Sequence, residues 1–188
     1  MSLKATNGEP RARIAVVGAG WWSQGWHLPH LSSNDKATIT AIVDTADHPK
    51  SNLNPNLVTL AELGQKYDAS VYKSVEELLQ KVGDEALDGV LIATPHATHA
   101  SVGAVILNHA KERHQNGKKP LHILMEKPMT TDVDEAFQLQ QVCTSDLTVD
   151  VGSLSTIMKH TTQKQTTRTT MNSLYTVTES WEGQAPFK

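Results

Sequence analysis

Behind the apolar run "HILM" (His122 to Met125), Glu126-Lys127-Pro128 sets a carboxylate beside an ammonium. A carboxylate and an ammonium at the end of a strand stand where ligands of an open parallel sheet bind, next to a proline. A second stretch, "GAGWWSQGWHLPHL" from Gly18 to Leu31, offers anion chemistry. Gly18-Ala19-Gly20 has the first two glycines of a turn whose unpaired N–H groups, at the positive end of a helix, can seat a pyrophosphate. Ser23 stands where a third glycine would be and is small enough to let the helix pack closely on the strand. Asp44 lies 24 residues after Gly20 (44 − 20), where a carboxylate can accept both hydroxyls of a ribose diol. It would repel a 2′-phosphate, and Thr45 supplies no cation, so NAD is favoured over NADP.

These groups need rigid elements to bring them together, and the chain supplies a regular set. "IAVVG" (Ile14 to Gly18), "ITAIVD" (Ile39 to Asp44), "GVLIATP" (Gly89 to Pro95), "HILMEKP" (His122 to Pro128) and "LTVDV" (Leu147 to Val151) are consecutive apolar runs, as expected of parallel strands buried on both faces. "SVY" (Ser70 to Tyr72) is a short edge candidate. Between them, Thr59 with Glu62, Ser74 with Glu77 and Asp132 with Glu135 each pair an N-cap acceptor with a Glu three residues on, marking helix starts. A further helix is predicted over about Thr98 to Lys111, with Val102, Val105, Ile106 and His109 on its inward face and Gly117 beyond its end. The Pro- and Asn-rich segment Thr45 to Val58 is expected to be irregular, and Pro29 to break the first helix near His27 or to begin a new turn.

The predicted architecture is α/β, a doubly wound, mostly parallel sheet of the Rossmann kind over residues 12–152. Residues 1–11 read as a flexible start. Residues 153–188 read as a Thr-rich tail, poorly structured or the remnant of a substrate domain, because "TIMKHTTQKQTTRTT" lacks apolar surface to bury. Ligands of such sheets bind outside the carboxyl ends of the strands, which singles out "ATPHATHA" (Ala93 to Ala100) and "MEKPM" (Met125 to Met129). Pro95 forces Thr94 into an extended conformation, and Pro128 can hold a cis bond.

With 17 basic and 20 acidic residues, net −3, and no run of Lys or Arg, nucleic acid and anionic membrane are not expected partners. The lone cysteine, Cys143, excludes an intramolecular disulfide and points to a reducing, cytoplasmic setting. No stretch is long and apolar enough for a membrane helix, and the first ten residues lack a signal core.

Gly18-Ala19-Gly20, Asp44, "TPHATH" and "EKP", in this order, resemble the glucose–fructose oxidoreductase, inositol dehydrogenase and rhizopine catabolism family (Gfo/Idh/MocA) over about Arg13 to Val151. The resemblance implies an NAD(P)-dependent oxidoreductase acting on sugars, polyols and related hydroxy compounds. It implies that Gly18, Ala19, Gly20, Trp21, Trp22, Asp44, Thr94, Pro95, His96, His99 and Pro128 border the dinucleotide. Glu126 would contact the nicotinamide-side ribose, and Lys127 would reach nicotinamide and substrate hydroxyl in the proton-transfer machinery. The substrate domain of such proteins has no counterpart in the last residues, so the chain is expected to be truncated, with little or no turnover alone; oligomeric state stays open.

Other readings compete. The chain could be a non-catalytic NAD-binding or interaction protein. A methyltransferase would share the glycine loop and the acidic residue, but would leave Thr94-Pro95 and Glu126-Lys127-Pro128 unexplained. The histidine pairs His27/His30 and His96/His99 have i, i+3 spacing, yet no carboxylate or cysteine completes a familiar metal set. For Lys127, a surface pairing with Glu126 is the plain alternative, disfavoured because neighbours on a strand point to opposite faces. Trp21, Trp22 and Trp26 read first as packing residues at the sheet edge, and otherwise as a wall where a substrate domain would dock.

Overall fold

The computed structural model describes residues 10–83, 86–142 and 149–151. Within them six strands form one parallel sheet: β1 (Ala12–Val17), β2 (Ala37–Val43), β3 (Ser70–Tyr72), β4 (Gly89–Ile92), β5 (His122–Met125) and β6 (Val149–Val151), in the order β3-β2-β1-β4-β5-β6. The chain winds outward from β1 to β3, returns to lay β4 against the other side of β1, and winds outward again to β6. This is the doubly wound Rossmann arrangement expected from the alternation of apolar runs and capped helices. The predicted tail over 153–188 lies outside the described residues.

Both faces of the sheet are covered, which is why its strands read as unbroken apolar runs. Ala15, Val17, Val90, Ile92, Ile123 and Met125 face one core with Val75 and Leu78 of α3 (Val75–Lys81), Ile106, Leu107 and Ala110 of α4 (His99–Gln115) and Leu139 of α5 (Val133–Val142). The alternate positions Val16, Ile42 and Leu91 are buried as well, as are Leu28 and Leu31 of α1 (Leu28–Ser33) and Leu60 and Leu63 of α2 (Leu60–Tyr67).

The caps act as their residue types dictate. Thr59 and Glu62 form a reciprocal box at the start of α2: Thr59 Oγ1 accepts from the Glu62 amide and Glu62 Oε2 accepts from the Thr59 amide. Ser74 Oγ accepts from the Glu77 amide, but the Glu77 carboxylate turns to the Lys73 amide instead of closing the box. Asp132 Oδ1 accepts from the amides of Asp134 and Glu135. Gly117 ends α4 with φ +67°, where glycine has no Cβ to clash.

The inward face of α4 differs from the expected one. His99, Gly103, Ile106, Leu107, Ala110 and Arg113 are buried, whereas Val102, Val105 and His109 are only partly so. Gly103 lies so close to the sheet that a Cβ there would come within 2.6 Å of Met125 Cε. A pattern built on large apolar residues cannot register a glycine and an arginine as inward positions. Arg113 is accommodated because its guanidinium donates to the carbonyls of Leu87 and Lys119.

At the start of β1, Asp88 Oδ2 accepts from the amide and Nε of Arg13 at 2.8 Å each, and Oδ1 accepts from Nη2 at 2.9 Å. The Arg13 side chain holds the Asp88 carboxyl down at about 2 against the opposing effect of burial. A depressed folded-state pKa contributes stability that is complete above the ordinary carboxylate range, near 4, and lost as pH falls through about 2. Asp88→Asn is therefore expected to flatten the dependence of unfolding free energy on pH between about 4 and 2. Both side chains are about a third exposed, so the loss at neutral pH should be about 1 kcal/mol or less. Urea melts across that pH range check it; an unchanged slope would mean that the contact contributes nothing.

Candidate functional site

The sheet order brings the carboxyl ends of β2, β1, β4 and β5 side by side, so Asp44, Gly18, Thr94 and Glu126 leave the sheet along one edge. Backbone pairing continues past the strand ends: Gly18 N–H donates to Val43 at 2.8 Å, Ala93 N–H to Val17 at 2.8 Å and Glu126 N–H to Ile92 at 2.9 Å. Connections diverge between β1 and β4, which opens a crevice above that point.

The two glycines of the first loop serve different ends. Gly18 has φ +98°, and a Cβ on it would lie 2.5 Å from the Ala93 carbonyl oxygen, so the fold itself requires glycine there. A Cβ on Gly20 would meet nothing within 4 Å. Gly20 thus borders open space at the mouth of the crevice, the cradle a phosphate would fill. Ser23, in the third-glycine position, is fully buried and donates its hydroxyl to the Gly18 carbonyl at 2.5 Å. Asp44 Oδ2 accepts from the Ala19 amide at 2.7 Å and Oδ1 from the Ala46 amide at 2.8 Å. The carboxylate therefore shapes the loop directly, while each oxygen keeps a second lone pair for a diol.

After Gly20 the chain enters a π-helical turn, Ser23–His27, in which the Leu28 amide reaches back five residues to Ser23; α1 follows with Pro29 in its first turn. This satisfies the expected new turn at Pro29, which has no N–H to donate in any case. The tryptophans, read as packing residues at the sheet edge, are only partly covered: Trp21, Trp22 and Trp26 keep 39%, 38% and 42% of their surface exposed. They pack mainly on each other, with Trp22 stacked on Trp26 at 5.7 Å and Trp21 edge-on to Trp22 at 5.2 Å.

Glu126 is the centre of the other half. Its Oε1 accepts from Trp22 Nε1 at 2.9 Å and lies 2.8 Å from Nε2 of His27, whose ring is 1% exposed. That separation brings the ring nitrogen within hydrogen-bonding reach of the carboxylate. Burial pushes Glu126 up, but His27, the Trp22 indole and the Lys127 amide outweigh it and hold the carboxyl at about 2. Lys127 is exposed, makes no ion pair among the described residues, and precedes a cis Pro128. The plain pairing of Lys127 with Glu126 does not form, since the carboxylate turns toward His27 and Trp22.

His99 is fully buried; its Nδ1 lies 2.7 Å from the Pro128 carbonyl and its Nε2 2.9 Å from the Thr94 carbonyl. It therefore joins the exits of β4 and β5, with its ring beneath the crevice. Pro95 and His96 are exposed beside it, and His96 packs edge-on to His99 at 5.5 Å. The Thr94 hydroxyl is buried with no partner among the described residues, an acceptor and donor left open at the crevice. Together with the free space at Gly20, this orphaned hydroxyl fits a polar dinucleotide laid across the strand ends.

A model of the oxidoreductase family with an NAD-binding Rossmann fold (Gfo/Idh/MocA) matches residues 12–152. The chain belongs to that family. D-xylose 1-dehydrogenase [NADP(+)] of Haloarcula marismortui is 26% identical over 131 residues, covering 70% of this chain and 31% of its own. Inositol 2-dehydrogenase of Mycolicibacterium gilvum is 28% identical over 129 residues, covering 68% and 30%. Among solved structures, the WlbA dehydrogenase of Bordetella pertussis in complex with NADH and UDP-GlcNAcA superposes with a TM-score of 0.58 at 20% identity, over 77% of this chain and 35% of that one. The chain thus spans about a third of the length of these family members. It is an NAD(P)-binding oxidoreductase domain whose relatives include sugar dehydrogenases.

Two residues of this family member's site escaped the sequence reading. His27 was visible only as half of a histidine pair, since nothing in its neighbours shows that its ring meets Glu126. Gln24 clasps the first loop to the excursion before α2, donating to the Ala19 and Val58 carbonyls and accepting from the Val58 amide at 2.9 to 3.0 Å. Its only sequence signal is its place one residue past Ser23 in the loop that opens the helix.

Proposed function

We propose that this chain binds a nicotinamide dinucleotide across the edge formed by Asp44, Gly18 to Gly20, Thr94 and Glu126, and that its reaction class is hydride transfer between nicotinamide and a CH–OH carbon of a sugar, polyol or related compound. The observation that carries the reading is the open cradle at Gly20, where no protein atom accounts for a glycine. The bound nicotinamide would supply the hydride acceptor. Asp44 holds the adenosine ribose diol, the helix start after Gly20 holds the pyrophosphate, and Glu126, kept ionised, accepts from the nicotinamide-side ribose. Lys127 stabilises the alkoxide oxygen of the substrate. Pro95, His96 and Pro128 shape the walls, and Trp21 and Trp22 border the loop.

NAD is the preferred form, because the Asp44 carboxylate repels a 2′-phosphate and Thr45 offers no cation. Lys127 is exposed, and water at the reacting centre weakens electrostatic stabilisation, so turnover by this chain alone is expected to be very slow. The lone Cys143 suits a reducing cytoplasmic setting. Titration with NADH, followed by its fluorescence, should saturate, with NADPH weaker by roughly tenfold, a difference of about 1.4 kcal/mol. Absence of binding at millimolar NADH would sink the reading, and a clear rate with any polyol would overturn the expectation of slow turnover.

A further inference from the structure

We propose that His27 is a positioning residue that, with Trp22, clamps one oxygen of Glu126 so that the other is presented to the nicotinamide-side ribose. The inference rests on the dinucleotide reading above and deepens it. Three observations carry it. His27 is buried at 1% exposure, and its Nδ1 has no hydrogen-bond partner among the described residues. Burying a polar ring is costly unless something at the site repays it, and its one polar contact among those residues is Nε2 to Glu126 Oε1, at 2.8 Å.

The second observation is the division of the carboxylate. Oε1 takes both the Trp22 indole N–H and the His27 ring, while among the described residues Oε2 receives only the adjacent Lys127 amide, at 3.2 Å. A carboxylate oxygen has two acceptor directions, so Oε2 keeps one for an incoming hydroxyl. The third is the π-helical turn, which ends at His27 and places its ring edge-on to Trp22, with centroids 6.2 Å apart and planes at 88°. Single-turn π segments are frequent at functional sites. Here the ring meets the strand-end carboxylate from beneath the loop that would hold the pyrophosphate, so cofactor loop and ribose acceptor are set by one turn of helix.

The experiment uses the full chain and two probes, NADH and ADP. ADP tests the adenosine and phosphate half, which Glu126 does not touch, and NADH tests both halves. His27→Ala should weaken NADH roughly tenfold and leave ADP within about twofold, as expected for loss of orientation at a charged acceptor. His27→Gln, a neutral donor of similar reach, should restore NADH to within about threefold of the parent. In a Glu126→Gln background, His27→Ala should cost little further affinity, because the carboxylate it orients is gone.

Equal weakening of NADH and ADP, unchanged NADH affinity, or an undiminished effect in the Glu126→Gln background would each overturn the positioning role. Should His27→Ala fail to fold, His27→Leu, which fills the space and donates nothing, carries the same cycle with Glu126→Gln: additive losses overturn the role and non-additive losses support it. A parent chain that binds ADP but not NADH would overturn the nicotinamide reading itself, a result separate from any effect of His27.

Discussion

Gly18→Ala should lower the unfolding free energy by about 2–5 kcal/mol while Gly20→Ala leaves it within about 0.5 kcal/mol. The first figure has two parts. Holding an alanine at φ +98° costs about 1–2 kcal/mol, because Cβ crowds the following carbonyl. Its Cβ would also stand 2.5 to 2.9 Å from three backbone atoms of Ala93 and Thr94, at the exit of a central strand that cannot yield, which adds about 1–3 kcal/mol. For a domain of this size the melting temperature should fall on the order of 5–15 °C. Gly20 meets no atom, so its alanine variant should melt like the parent yet bind NADH at least tenfold more weakly, if the cradle holds a phosphate. Thermal melts and NADH titration of both variants test this, and equal stability of the two would contradict the division of labour.

Replacement of His99 is expected to be of similar size and different character. His99→Ala leaves the part-buried Thr94 and Pro128 carbonyls without the ring nitrogens that contact them, at about 1–3 kcal/mol, and opens a cavity besides. His99→Phe separates the terms, because it fills the space and loses both polar contacts. We expect it to remain destabilised by about 2–4 kcal/mol, and NADH affinity to fall, since the exits of β4 and β5 would no longer be tied. Urea unfolding provides the measurement; a phenylalanine variant within about 0.5 kcal/mol of the parent would show that His99 is only a space-filler.

These two residues illustrate how far a linear reading reaches. Gly18 was legible because its chemistry is local: a strand, a glycine and a helix in succession demand a tight turn wherever they occur. The strand ends were legible for the same reason, since apolar runs closed by Asp44, Thr94-Pro95 and Glu126-Lys127-Pro128 announce where each strand leaves the core. The inward face of α4 was not, because a helix that approaches a sheet through Gly103 buries small and even charged positions that an apolar pattern passes over.

The histidines mark the limit. In the sequence His27 and His99 are members of two similarly spaced pairs, and spacing cannot say which way a ring turns. His99 found its partners on β4 and β5 exits brought together by crossover helices, and His27 found Glu126 only because the sheet order sets β5 within reach of the helix after β1.

What the residues determined by themselves was therefore the doubly wound sheet and the places where its strands end, because periodicity, capping and turn chemistry are short-range. The tertiary structure alone decided which glycine serves the fold and which leaves room, that the tryptophans stand half in solvent, and that Glu126 is held by His27 and Trp22 and not by Lys127. Those outcomes depend on distances between segments far apart in the chain, and a side chain's partners are set by packing that no local pattern encodes.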